Sequence, residues 1–455
     1  MRSISSSFRS LVLNALAILL TGSLLPVVTL SQVAHKPAAR HIIICVDGVG
    51  ISTISKMRAK GHFKSFHHPS HMISTFPSLT NAALTKILKP TGATMTGGYE
   101  DNFFDTEANR MRGGILDRFR SGRFIRGTFR ELFDYHPSAI KSGLGYAAPP
   151  LSTYLESHSD LIRLRQKARN SRQDVFFAYT GATDSLAHVG GETLLRNFLE
   201  GLDDTVEDIV RDSKTPVVVT IFSDHGNDFR KYRRVSLKAP LRRAGFKLVN
   251  KIKDDQSVVL PQFGLVGSAV LFTRDKNEDR LARVLATLEG VDFVAYEADG
   301  IVHISNRRGN ATIEKRGYEY RYFAKTGDPL DLLAFTQQAS HENGADGFIK
   351  DEDWFALTRN SKRPDVVRRI FEGATEGVLN RANVIVNLED GYYTGSSLLD
   401  TFTILQATHG NIGPEQSYGF VMSTMMELPP YIRAGDLWET LGSAQLHRSP
   451  KRKQK

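Results

Sequence analysis

His41-Ile42-Ile43-Ile44-Cys45-Val46-Asp47 and Val217-Val218-Val219-Thr220-Ile221-Phe222-Ser223-Asp224-His225 decide the reading of this chain. Each is a short apolar run that ends on acidic or imidazole side chains. Apolar runs of this length, rich in β-branched residues, read as strands buried on both faces of a parallel sheet. Val175-Phe176-Phe177-Ala178-Tyr179 is a third run of this kind, and Asp184 comes shortly after it. In open α/β sheets ligands bind beyond the carboxyl ends of the strands. Separate strands therefore deliver Asp47, Asp184, Asp224 and His225 to one edge of one sheet.

Helical patterns alternate with these strands. Residues 52–60 and 151–170 have helical character, and residues 192–212 carry apolar side chains at helical spacing that should pack on the sheet. The alternation predicts a doubly wound, mostly parallel α/β core. From residue 229 to about 389 the character changes, and an inserted α+β cap is expected. Strands are expected at 245–249, 258–273, 291–295, 301–305 and 318–323, and helices at 280–288, 328–333 and 364–372. Residues 384–387 are expected to lead back to the core. The domain reading is 35–228 with 384–447 as core and 229–383 as cap.

Asp184-Ser185-Leu186-Ala187-His188 sets a carboxylate and an imidazole on one face of a helical turn. Asp224 and His225, adjacent at a strand end, point to different sides. His409, in Ala407-Thr408-His409-Gly410-Asn411, follows another apolar-rich stretch. Carboxylates and imidazoles together suit zinc, and also iron or manganese. One Asp–His pair is more often a surface or core pair than a ligand set. All of them in one chain, mostly after strands, are hard to explain as packing. Thr80, in Phe76-Pro77-Ser78-Leu79-Thr80-Asn81, precedes a helical pattern. A Thr there is commonly an N-cap. It also suits a nucleophile, deprotonated beside a metal where a helix N-terminus receives an anion.

The chain has 455 residues and a formal net charge of +10. Its length calls for more than one core, or one core with large insertions. A basic surface favours anionic substrates through steering. The tail 448–455 is a basic run without interleaved aromatics, so no nucleic-acid partner is expected from it. Cys45 is the only cysteine, so no disulfide forms within the chain. Arg2 and Arg9 precede an apolar stretch from Leu11 to Leu20, and small residues follow. Residues 1–34 therefore read as a secretory signal peptide, cleaved near Ser23, Ser31 or Ala34, or as an uncleaved anchor. The protein is expected to be exported, periplasmic or extracellular, with membrane contact only if that segment is retained.

In their order along the chain these motifs resemble the alkaline phosphatase superfamily and, within it, the type I phosphodiesterase/nucleotide pyrophosphatase branch. The carriers are Val46-Asp47-Gly48, the Phe-Pro-x-x-Thr segment with Thr80, Asp184-x-x-x-His188, Ser223-Asp224-His225-Gly226 and Thr408-His409-Gly410. The resemblance implies an alkaline phosphatase-type core and two divalent metal ions, zinc foremost. It implies a first site of Asp184, His188 and His409, and a second of Asp47, Asp224 and His225 with Thr80 beside it. Gly98-Tyr99-Glu100-Asp101-Asn102 is similar to the family's phosphate-contacting loop, which makes Asn102 a substrate-binding candidate. The implied reaction is hydrolysis of a small anionic phosphodiester or pyrophosphate through a phospho-threonine.

Other branches fit less well. Sulfatases need a Cys/Ser-x-Pro-x-Arg nucleophile motif, and Cys45 is followed by Val46-Asp47. Monoesterases of this type carry a Lys-x-Arg pair. Lys141-Ser142-Gly143 lacks the Arg, and Lys167-Ala168-Arg169 reads as a solvated helix face. Phosphonoacetate hydrolases share the Thr and the ligand set but place two lysines near the former position. A metal-dependent nuclease, and a non-catalytic secreted binding module, are the remaining alternatives. An intact ligand set beside an activatable hydroxyl weighs against the last.

Overall fold

The computed structural model describes residues 39–113, 132–137, 150–274, 276–340 and 346–442. The N-terminal segment 1–34, the Lys141 position and the tail 448–455 lie outside them. The described residues, from Ala39 onward, form one compact unit. Among the described residues no helix is long and apolar enough to cross a membrane.

The apolar runs pair as their composition requires. Arg40–Val46 lies between Val217–Phe222 and Val175–Thr180, parallel to both, with Cys45 opposite Phe222 on one side and Tyr179 on the other. This register aligns the three carboxyl ends. Tyr418–Ser423 joins antiparallel to Val217–Phe222, then Ser70–Ile73 antiparallel to it, then Tyr431–Arg433 parallel at the far edge. The core sheet thus has six strands and is parallel at its centre.

Both faces are covered, which is why the strands are apolar throughout. Ile42, Ile44 and Val46 pack with Leu161 and Leu164 of the helix Pro150–Asn170 and Leu195, Phe198 and Leu199 of the helix Ala182–Arg211. Ile43 and Cys45 face the other way, towards Leu84 and Ile87 of the helix Thr80–Leu88 and towards Trp438. Each such buried aliphatic side chain contributes about 1.5–3 kcal/mol. On the Pro150–Asn170 helix Lys167 and Arg169 are exposed, as a solvated face requires.

A second sheet of seven antiparallel strands occupies the segment expected to be the cap. Its order is Ser268–Leu271, Val384–Leu388, Val291–Ala298, Ile301–Asn306, Gly309–Arg316, Glu319–Gly327, Ile349–Lys350. Three local expectations are corrected. Val384–Leu388 does not lead into the core sheet. It is an interior strand of the second sheet, second from one edge and buried on both faces, and so looks like a core strand in sequence. Gly309–Arg316 was not anticipated as a strand, because its polar residues hide the alternation. The helix expected at 328–333 begins instead at Leu333, where the Asp328 carboxylate accepts from the Leu332 and Leu333 N–H groups at 3.1 and 2.9 Å. Tyr320, Tyr322 and Trp354 lie in the core of this sheet, while Tyr318 is exposed.

Candidate metal centre

Asp47 follows the central strand, and three groups fix it. The Tyr179 hydroxyl donates to its carboxylate, the Thr183 hydroxyl donates to its carbonyl at 2.5 Å, and its N–H reaches Thr180 O at 3.0 Å. Gly48 next to it has φ +64, and a Cβ there would lie 2.6 Å from both Asn227 Nδ2 and Asp184 Oδ1. Only glycine lets the chain turn past the neighbouring ligands. Asp184 sits in the first turn of the helix Ala182–Arg211, where the helix dipole favours a carboxylate. His188 follows one turn later, with Nε2 3.4 Å from Asp184 Oδ1.

Asp224 and His225 follow the strand Val217–Phe222. His225 Nδ1 lies 3.0 Å from Gly226 O, and its Nε2 lies 3.3 Å from Asp47 Oδ1 and 3.6 Å from Asp224 Oδ2. His409 is oriented in the same way, with Nδ1 2.9 Å from Ser78 O and Nε2 3.7 Å from Asp184 Oδ1. A carbonyl faces Nδ1 in both rings, so in the neutral ring Nδ1 carries the proton and Nε2 the lone pair that a cation needs. The His225 and His409 rings stack at 4.0 Å. Thr80 is the first residue of the helix Thr80–Leu88, after Leu79 in the N-cap position, so it is not itself the cap. Its hydroxyl lies 3.1 Å from Asp47 Oδ1 and 3.2 Å from His225 Nε2.

No protein-family model matches the chain, and no curated protein matches it in sequence. Solved structures do. Phosphonoacetate hydrolase from Sinorhizobium meliloti 1021, solved with phosphonoformate, aligns over 90% of this chain and 96% of its own, at 14% identity and TM-score 0.50. Human ectonucleotide pyrophosphatase/phosphodiesterase 5 aligns over 90% and 96%, at 10% identity and TM-score 0.49. The likeness to the hydrolase shows a shared fold, an α/β core of alkaline phosphatase type.

Within this alkaline phosphatase-type fold the structure gathers all six expected ligands and Thr80 at the carboxyl ends of the sheet. Two buried groups have donor atoms within 4.8 Å of one another: Asp184, His188 and His409, and Asp47, Asp184 and His225. Asp184 thus lies between the two expected sites. Asp224 stands beside the second group, with Oδ1 taking the Gly48 N–H at 3.2 Å and Oδ2 without a hydrogen-bond partner among the described residues. Asn102 opens a hairpin, paired with Gly113, and no described hydrogen bond joins it to the ligands.

Burial, then the Asp47 charge, pushes the Asp224 carboxyl up to about 8. His225 is raised to about 10, because Asp224 and Asp47 outweigh the burial that opposes its charge. His409 falls to about 3 through burial and the nearby His225. Asp184 lies well below the carboxylate range, since His188 and His409 overcome its burial. Three carboxylates and three imidazoles, nearly all water-excluded, with an orphan carboxylate oxygen among them, fit divalent cations.

Two residues escaped the sequence reading. Tyr179 was read only as a strand residue, although its register opposite Cys45 places it next to Asp47. Asn227 donates to Asp184 Oδ1 at 3.0 Å and Gly48 O at 2.7 Å, tying two ligand loops together. Its place two residues after His225 was the available signal.

Proposed function

We propose that the protein is a two-metal phosphohydrolase that cleaves phosphodiester or pyrophosphate bonds of small anionic substrates through a phospho-threonine at Thr80. The observation that carries this reading is the Thr80 hydroxyl, 3.1 Å from Asp47 Oδ1 and 3.2 Å from His225 Nε2 at a helix N-terminus. Asp184, His188 and His409 would hold one cation, and Asp47, Asp224 and His225, with Thr80 beside them, the other; zinc is the proposed ion. Such ions, when bound, supply positive charge to the attacking and leaving oxygens.

The chain's own groups do the rest. Asp47 accepts the Thr80 hydroxyl proton as Oγ1 bonds to phosphorus and the bond to the leaving oxygen breaks. The free N–H groups of the first turn of the Thr80 helix meet the non-bridging oxygens. Water then attacks the phospho-threonine, and the Thr80 hydroxyl is restored. Asn102 is proposed as a further phosphate contact. The N-terminal basic and apolar pattern supports export to the periplasm or exterior.

Phosphonoacetate hydrolysis is a second reading, favoured by the likeness to that hydrolase. The purified protein with zinc is to be assayed on a nitrophenyl phosphodiester, a nitrophenyl phosphomonoester and phosphonoacetate. The expected result is preferred diester cleavage that Thr80→Ala lowers by about a thousandfold or more. Preference for phosphonoacetate selects the second reading. Turnover retained in Thr80→Ala overturns the covalent mechanism.

A further inference from the structure

We propose that residues 397–406, beside the candidate metal centre, bind an apolar leaving group, so that the substrate is a phosphodiester whose departing alcohol or phenol carries a hydrocarbon body. The proposal rests on the reading that Thr80 attacks a diester. In an in-line displacement the leaving oxygen stands opposite the attacking one. Thr80 Oγ1 lies 3.1 Å from Asp47 Oδ1 and 3.2 Å from His225 Nε2. The leaving group therefore points to the other side of the centre, where Asp184, His188 and His409 stand together.

Residues 397–406 dock on that side. Gln406 N donates to His188 O at 2.9 Å, and a Cβ on Gly191, further along the same helix, would meet Gln406 Cβ at 3.5 Å. His409 follows shortly after Gln406 in the chain. Two extended residues span about 7 Å at most, so Ile404 stays beside this contact.

The segment carries the large apolar residues Leu398, Leu399, Phe402, Ile404 and Leu405. None of them belongs to a hydrophobic core of the described residues or packs against one. Leu398, Phe402 and Ile404 are 69%, 73% and 82% exposed. Leu398 and Phe402 lie one turn apart on the helix Ser397–Phe402 and share a face. This turn is braced. Ser396 Oγ accepts from Leu399 N at 3.4 Å, Arg234 donates to Asp400 Oδ2 at 2.8 Å and to Gly395 O at 3.0 Å, and the Tyr393 hydroxyl donates to Asp400. Asp400 is the only charged residue in the segment, and Arg234 neutralises it. A held, water-facing apolar surface next to a reaction centre suits a hydrocarbon group. It favours diesters over pyrophosphates, whose leaving group is a charged phosphate.

Turnover of para-alkylphenyl methyl phosphates by the zinc-loaded full chain tests this, with the alkyl group lengthened from methyl to octyl. The released phenols differ little in acidity, so chain length reports contact alone. The kcat/KM should rise about twofold per methylene. The rise should vanish in the double variant Phe402→Ser, Ile404→Ser, whose side chains lie outside every core, and persist in Phe402→Leu. Moving the octyl chain to the retained ester group should give little gain. A flat series in the wild type, an unchanged rise in the double variant, or an equal gain from the retained side overturns the proposal. If no diester turns over, the phosphodiesterase reading fails, and calorimetry decides the surface. There para-octylphenol should bind the wild type at least about tenfold more tightly than the double variant, and equal affinity overturns the proposal.

Discussion

Asp224 Oδ2 is a buried carboxylate oxygen without a hydrogen-bond partner among the described residues, and Asp47 stands close enough to raise its proton affinity. In metal-free protein His225 offsets only part of that repulsion. Asp224→Asn should therefore stabilise the metal-free protein by about 1 kcal/mol. With zinc the order should reverse, because only the wild type keeps the full ligand set and gains stability by mass action. Melting curves with zinc and with chelator check this, and a variant that melts lower in both refutes it. Tyr179→Phe removes the hydroxyl that donates to Asp47. It should leave the circular dichroism spectrum unchanged and lower kcat/KM by about tenfold, the size of one hydrogen bond to a charged group. The six candidate ligands were legible because strand ends and ligand-type residues coincide in the sequence. Tyr179 was not, because its role depends on which strand lies next to the first.

Two elements set the site's frame. The helix Ala182–Arg211 breaks at Gly191, where φ is 69° and ψ is −170°. Near the break the His188 carbonyl accepts from Gln406 N at 2.9 Å, which docks the segment that brings His409. A Cβ on Gly191 would meet nothing closer than Gln406 Cβ at 3.5 Å. Gly191→Ala should thus cost about 1–3 kcal/mol from backbone strain alone, readable by denaturant titration. The Thr80 helix is tied to the helix Val366–Thr375 through Glu372, which accepts from Lys86 Nζ at 2.9 Å and Arg368 Nε at 2.8 Å. Burial would raise the Glu372 pKa, but these two cations hold it below its ordinary 4.5. The unfolded chain then binds this proton more readily than the folded one. The contribution is present above about 4.5 and is lost as pH falls through the lowered folded value. Glu372→Gln should cost about 2 kcal/mol at pH 7 and progressively less below pH 4.5. An equal cost at pH 7 and pH 3 refutes the ion-pair account. Sequence periodicity showed both helices, but neither the break nor the tie between them.

Across the whole molecule, net charge and architecture act together. A charge of +10 should draw small anionic substrates by steering. Raising ionic strength should lower kcat/KM for a charged phosphodiester severalfold while kcat stays nearly constant. A kcat that falls in parallel counts against steering. The second sheet is continuous with the core at the site, since Gly267 N donates to His409 O at 2.7 Å and Leu388 N to Gly267 O at 3.0 Å. A strand such as Val384–Leu388 is apolar on both faces in either sheet, so its pattern alone could not assign it.

The sequence by itself determined the central strands, the candidate ligands at their ends and the threonine before its helix. Each of these is a local pattern: a run of β-branched residues, a carboxylate one turn from an imidazole, a hydroxyl where a helix begins. Only the tertiary structure decided that Asp184 lies between the two ligand groups, that Tyr179 reaches Asp47, that Val384–Leu388 serves the second sheet, and that Gln406 docks on the helix of His188. Those are contacts between segments far apart in the chain. Strand register and packing set them, and neither is written in any one stretch of residues.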